Sequence, residues 1–262
     1  MAAARELTAP GAKGPVTWLR IGLVAALVLV WEAAAASGLL YRDVVPSLAS
    51  IARALVDLLT DGQKNFYWHL GVTAYEVLAA LAIGSVAGLA AGIALGASRY
   101  LSRAFEPYLY YLGPTPKIVF FPVILAWFGI GSGSKIAIGA ITCFFPVALS
   151  VAGGMREIAP VLIRVGQSFR ASTWQMVMKI YLPAMRAPIV NGLRLGLGVA
   201  IIVVLLAETK FANRGIGYLV IQSYFRFDMP QMYALLIVLF VFAIGGNALM
   251  GRLGGADPRT VG

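Results

Sequence analysis

Charge is what this chain has least of. Only 12 % of its 262 residues are Asp, Glu, Lys or Arg, against roughly 25 % in a soluble domain. With 60 % hydrophobic residues and a mean hydropathy of +0.84, it lacks the polar surface that would dissolve it in water. Acids are scarcer than bases, 11 against 21. In a soluble protein that excess would point to nucleic acid. Here Lys and Arg belong to loops beside a bilayer, and nucleic acid drops out as a partner. Cysteine and histidine are almost missing. The single Cys143 excludes an intrachain disulfide and a thiolate metal site, and the single His69 is too little for a metal cluster or a catalytic triad. Both read as structural. A Gly-x-x-x-x-Gly-Lys-Ser/Thr phosphate loop is absent, which excludes an ATP site of that kind in this sequence. Paired carboxylates at helical spacing and a Ser/His/Asp set are missing too, and the sequence reads as non-enzymatic.

Long apolar runs are what the chain has instead. A helix needs about 20 residues to cross a hydrocarbon core, and six runs qualify: 19–39, 70–97, 108–131, 136–154, 187–207 and 233–250. In lipid every backbone polar group needs an internal partner, so these runs are helices. The alternating segments of an outer-membrane barrel are not seen. The first run, between Arg20 and the small residues Ala33 to Ser37, has the outline of a leader peptide. Glu32 beside the would-be cleavage region favours an uncleaved first span. The chain therefore divides into a tail, 1–18, an all-α membrane domain, 19–250, and a second tail, 251–262, with a long loop, 155–186, between the fourth and fifth spans. With the N-terminus inside, Arg5, Lys13, Arg20, Arg99, Arg103, Arg156, Arg164, Arg170, Lys179, Arg186, Arg252 and Arg259 face the cytoplasm. Arg42, Arg53, Lys64, Lys135, Lys210, Arg214 and Arg226 fall outside, a bias of twelve to seven. Both termini are thus expected in the cytoplasm.

Within the spans, small and helix-breaking residues mark the close approaches. Gly84, Gly88, Gly92 and Gly96 recur every four residues on one face of the second span, a stripe that serves either a dimer seam or packing within the chain. Gly113, Pro114, Pro116 and Pro122 break the third span, which lipid tolerates only beside protein or water. Lys117 follows that break, about nine residues or roughly 14 Å inside the run; either a wet cavity around it would attract an anion, or its ammonium snorkels to the inner interface or joins a structural ion pair. Leu48, Ile51, Leu55, Leu58 and Leu59, within 41–69, read as an amphipathic helix on the outer surface, and 213–230 as a short interfacial excursion.

The most specific stretch is the long loop. From Arg164 it reads Arg-Val-Gly-Gln-Ser-Phe-Arg-Ala-Ser-Thr-Trp-Gln-Met-Val-Met-Lys-Ile-Tyr-Leu-Pro, closing at Pro183. Phe169, Thr173, Val177 and Ile180 lie three or four apart, as on one face of a helix, while Arg164, Arg170 and Lys179 supply charge. Such a helix fits a partner's groove or an anionic lipid surface. The stretch resembles the coupling loop of permease subunits of binding-protein-dependent ABC importers. That family's pattern is Glu-Ala-Ala, three residues, Gly, nine residues, then Ile-x-Leu-Pro. Arg170 stands at the Gly position, and Ile180, Leu182 and Pro183 follow at the kept spacing. Arg164-Val165-Gly166 replaces Glu-Ala-Ala.

The likeness extends from about Val45 to Arg252. Val45-Pro46-Ser47, Phe128-Gly129-Ile130-Gly131, the run Gly192-Leu193-Arg194-Leu195-Gly196-Leu197-Gly198, and Glu208 followed by Gly215-Ile216-Gly217-Tyr218 look like this family, and more narrowly like its nitrate, sulfonate and taurine branch. The resemblance implies a type I importer permease with six transmembrane helices in the bacterial inner membrane. It implies a second permease copy, identical or related, two cytoplasmic ATPase subunits that hold ATP and Mg, and a periplasmic or tethered solute-binding protein. It further implies that 166–179 is a helix docking on the ATPase, with Arg164, Gly166, Phe169, Arg170, Ala171, Ser172, Ile180, Leu182 and Pro183 as the coupling residues and Pro183 ending the element. Lys117, Pro116 and Glu208 are the pathway candidates. The implied cargo is a small anion such as a sulfonate, taurine, nitrate or an aromatic carboxylate, the alternative being a thiamine-type pyrimidine or another cofactor precursor. An ion-driven secondary transporter would need acidic relays or internal repeats. Glu32, Glu76 and Glu208 are few and read as lying near helix ends.

Overall fold

The computed structural model describes residues 13–38, 44–60 and 65–253. Arg5, Tyr41, Arg42, Lys64 and Arg259 lie outside the described residues, as does the side chain of Lys13. Every regular element among the described residues is helical: α1 spans Lys13–Ser37, α2 Leu48–Thr60, α3 Phe66–Ala97, α4 Arg99–Leu112, α5 Phe121–Phe128, α6 Ser132–Glu157, α7 Pro160–Ser168, α8 Thr173–Met176, α9 Leu182–Ala184, α10 Arg186–Lys210, α11 Ile216–Phe225 and α12 Met229–Leu253. Five of them, α1, α3, α6, α10 and α12, are long and apolar enough to cross a membrane. The sixth expected span is α4 and α5, joined through a 3-10 turn at Lys117–Phe120 and bent by 87°. It starts at Arg99 rather than near 108 because Ser98 caps α4, accepting from the Leu101 amide at 3.3 Å. It breaks at 113–116 because Pro114 and Pro116 cannot donate to the helix.

Packing centres on α3, α6 and α10. Their buried faces meet in a core that includes Val77, Ala80, Cys143, Val147, Val151, Leu197, Ala200 and Val204. The glycine stripe of α3 builds this contact and is a seam within the chain. A Cβ on Gly84 would lie 2.5 Å from the Ala140 carbonyl oxygen, one on Gly88 2.8 Å from that of Phe144, and one on Gly92 2.6 Å from Val151 Cβ. Only glycine lets α3 and α6 come so close. At α10, Gly192 and Gly196 repeat the device against Ser150 and Cys143 of α6.

Two peripheral elements are tied on by polar bonds. The Trp31 indole donates to the Pro46 carbonyl at 3.0 Å, and Glu32 accepts the Leu48 amide at 2.7 Å. Glu32 thereby satisfies one of the free amides opening α2. α2 buries Ile51 and Leu58, Leu58 joining Phe66, Ile216 and Leu235 in a second core; the expected amphipathic helix forms, with these two residues against the bundle and Leu48 and Leu59 exposed. Lys135 corrects the sequence reading. It lies inside α6 and is fully buried, not in an outer loop.

Candidate functional site

Two ends of the bundle carry the unusual chemistry. At the loop end, the connection from α6 to α10 is not the single helix expected over 166–179. α7 stops at Ser168, the chain turns through 169–172, and α8 begins at Thr173. The turn has a full hydrogen-bonding account. The Arg170 amide donates to the Gln167 carbonyl at 2.9 Å and the Ala171 amide to the Gly166 carbonyl at 3.0 Å, the paired bonds of a Schellman ending. That ending needs a left-handed residue, usually glycine, and Arg170 occupies it with φ +49°. The family's Gly position is therefore a backbone requirement, and Arg170 keeps the bend at some strain. Ser172 then opens α8 with a reciprocal cap: its hydroxyl accepts the Gln175 amide at 3.3 Å, and the Gln175 side chain accepts the Ser172 amide at 2.9 Å.

The two halves of the loop fold onto each other at Gly166, where a Cβ would collide with the Met176 sulfur and, at 2.5 Å, with Ile180 Cδ1. Ile180 and Val177 are half-buried and turn inward, while Phe169 and Thr173 are exposed, so the four do not share one face. Pro183 corrects a further expectation. It sits in the first turn of α9, and the chain turns at Met185, where φ is −100° and ψ 17°. Ahead of it, Val177–Tyr181 widens to a π-turn, with the Leu182 amide reaching the Val177 carbonyl. A proline lacks the N–H and crowds the carbonyl four residues back, and the widened turn accommodates both. What the loop offers outward is apolar: Phe169 is 83 % exposed and Trp174 68 %, with Leu162 and Val165 beside them. Arg164 and Arg170 are exposed at its edge. Beneath it Arg156 of α6 pairs with Glu106 of α4 and donates to Ser102 at 3.0 Å.

At the opposite end, α11 is anchored by its first amides. The Gly215 amide donates to His69 Nδ1 at 3.0 Å, the Ile216 amide to Thr73 Oγ1 at 2.8 Å, and the Gly217 amide to Glu208 Oε2 at 2.7 Å. Thr73 Oγ1 in turn donates to Glu208 Oε1 at 2.8 Å. These amides are the unpaired donors that every helix start exposes, and an anionic side chain suits that end of the helix dipole. Gly215, at φ +102°, brings the backbone so close that a Cβ would strike the Glu208 carboxylate. Glu208 was legible as a single acid late in the fifth span. His69 and Thr73 were not, although their spacing of four on a helix was the available signal. Beside them Glu76 and Lys135 are fully buried, 3.9 Å apart, and Glu76 lies ten residues inside α3 rather than at a helix end.

Lys117 serves the broken span. Its ammonium donates to the carbonyls of Leu112, Gly113 and Thr115 at 2.8, 2.6 and 3.1 Å and stands 4.2 Å over the Phe145 ring. It caps the carbonyls that the prolines free, and backbone oxygens and a ring hold it in a structural role, though with no carboxylate partner among the described residues. Pro116 is exposed at the break. Arg194, within α10, donates through Nε to Asn247 of α12 at 3.0 Å, a pairing the sequence reading did not anticipate.

Residues 84–256 match the family described as binding-protein-dependent transport system inner membrane component. Among curated relatives, the taurine transport system permease protein TauC of Escherichia coli (strain K12) is 31 % identical over 90 % of this chain and 88 % of its own length. The putative aliphatic sulfonates transport permease protein SsuC of Bacillus subtilis (strain 168) is 27 % identical over 88 % and 82 %. Among solved structures, a chain of the MetNI methionine ABC transporter in an inward-facing conformation aligns over 75 % of this chain and 98 % of its own, with a TM-score of 0.66 at 20 % identity. That likeness concerns the fold alone.

Proposed function

Since the chain belongs to the binding-protein-dependent transport system inner membrane components and is the permease subunit of an ABC importer, we propose that two copies, identical or related, form the pathway, and that the exposed apolar surface of residues 160–184 seats an ATPase subunit. Two such ATPase subunits, holding ATP and Mg, stand on the cytoplasmic side, and a periplasmic or tethered binding protein delivers the solute at the α11 end. Closure of the ATPase pair draws the loop ends together and turns the cavity outward; hydrolysis resets it. The relatives' transport of taurine and aliphatic sulfonates supports a small sulfonate as cargo. The pathway passes the bent span, with Pro116 on its wall, Lys117 holding the break and Glu208 holding α11.

The observation that carries this reading is the exposed pair Phe169 and Trp174 on a loop whose turn is closed by its own backbone hydrogen bonds. A large ring so exposed, rimmed by Arg164 and Arg170, fits a groove-docking anchor. Truncating a buried interface aromatic costs about 2 kcal/mol or more. Phe169→Ala is therefore expected to weaken co-purification of the ATPase subunit by more than about tenfold. Arg170→Glu should weaken it mainly at low to moderate salt, and Arg259→Glu, in the tail, should leave it unchanged. Wild-type assembly and uptake in both loop variants would return the loop to a lipid-surface role.

A further inference from the structure

One full charge lies exposed inside a span. Arg194 stands eight residues past the start of α10 and is exposed, about 12 Å from that helix end. Bare lipid is a costly setting for a guanidinium at that depth, so this face of α10 meets protein or water. The Arg194 Nε donates to Asn247 Oδ1 at 3.0 Å. Asn247 lies six residues before the end of α12, about 9 Å inside it, so the bond ties the arginine to α12 within the span. Arg194 borders an open groove of about 780 Å³ between α10 and α12, a size within the roughly 300–1,000 Å³ of ligand sites. Asn191, a turn before it, and Gly198, a turn after it, share its face of α10 and line the same groove. A Cβ on Gly198 would meet nothing within 4 Å, so there is room beside the guanidinium. The rest of the groove wall is apolar.

The chain offers this charge no counter-charge. Among the described residues Arg194 has no ion pair, and its one hydrogen bond is through Nε, which leaves the two Nη groups free. A second copy would bring little more. Of the acids in the described helices, only Glu106 and Glu157 lie toward the loop end. Glu106 is already paired with Arg156. Glu157 closes α6, three residues beyond Gly154, which packs on Pro188, itself six residues short of Arg194. It lines a separate hollow with Pro188 and Asn191. What suits the free Nη groups is an oxyanion from outside the chain, since a guanidinium fork matches two of its oxygens at once.

We propose that Arg194, with Asn191 and Asn247, forms an oxyanion site on the wall of the pathway, taking the sulfonate group of a small free solute. The proposal rests on the importer reading and places part of its anion recognition in the permease itself. The test puts a thiol in the groove by Gly198→Cys, where the backbone has room, in the Cys143→Ser background. Sheared membranes, open on both faces, carry the full-length chain. They are treated with a sulfonate-bearing methanethiosulfonate or with its trimethylammonium counterpart. Each rate is divided by that reagent's rate with 2-mercaptoethanol. The anionic reagent should lead, and its lead should fall about tenfold in Arg194→Gln and persist in Arg194→Lys. Millimolar ethanesulfonate should slow the labelling while Arg194 is present and have no effect in Arg194→Gln; chloride at equal ionic strength should not slow it. A thiol that neither reagent reaches would mean that the groove meets lipid or the second copy, and the proposal falls. It falls equally if the lead survives Arg194→Gln, or if ethanesulfonate gives no protection, as when a lipid headgroup holds the arginine. Phe169→Ala tests the coupling surface and this assay the groove, so either can fail while the other stands.

Discussion

Arg170 concentrates the tension between local backbone and partner surface. Its left-handed φ of +49° costs a side-chain-bearing residue on the order of 1–2 kcal/mol, part of which glycine would return as extra freedom in the unfolded chain. Arg170→Gly should therefore raise the unfolding free energy by about 0.5–1 kcal/mol, read as a higher melting temperature of the purified chain. An unchanged or lower melting temperature would mean that the arginine's exposed charge compensates the strain. The position was legible from the spacing to Ile180, Leu182 and Pro183; its left-handed geometry was not, because a spacing carries no dihedral angle. Lys117 shows the same limit. The proline break beside it could be read from the chain, but the three carbonyls and the Phe145 ring that receive its ammonium come from how the freed helix end folds back.

Among the elements, α3 and α6 set the tolerance of the whole bundle. A stripe of glycines every fourth residue was visible in the sequence, and its partner was not, since a smooth helix face serves a neighbour in the same chain or in another equally well. The observed neighbour makes a sharp contrast possible. Gly88→Val would place its Cβ 2.8 Å from the Phe144 carbonyl oxygen and 2.9 Å from Val147 Cβ; a backbone atom cannot step aside, so the helices must separate. Overpacking of this kind costs about 1–3 kcal/mol or more, and a sharp loss of monodisperse protein is expected. Gly71→Ala, on the same helix with nothing within 4 Å, should match wild type. Equal yields from the two variants would show that α3 and α6 do not pack as described. The coupling loop misled in a comparable way. Its three-and-four spacing promised one helix, but the Schellman ending at Arg170 and the cap at Ser172 cut it in two, and the inward residues Val177 and Ile180 belong to the second half.

For the molecule as a whole, orientation is carried by the difference between its two ends. The ends themselves are distinct. The ends of α3 and α6, the start of α10 and the coupling loop gather at one, whereas the starts of α3 and α6, the end of α10 and the start of α11 gather at the other. Moving Lys135 from an outer loop into α6 removes one basic residue from the second side and so strengthens the bias toward a cytoplasmic loop end. Single cysteines at exposed positions on the two ends decide the matter: Ser168, at the close of α7, and Asn213, in the link before α11. The background is Cys143→Ser, which removes the one thiol, itself fully buried. In intact spheroplasts a membrane-impermeant maleimide should label the variant Asn213→Cys and spare Ser168→Cys, and inverted vesicles should reverse the pattern. Labelling of both from one side would break the six-span topology, because an odd number of crossings must separate these sites. A reversed pattern would keep the fold but place the coupling loop outside, where no cytoplasmic ATPase reaches it, and the transport mechanism proposed for residues 160–184 would fall with it.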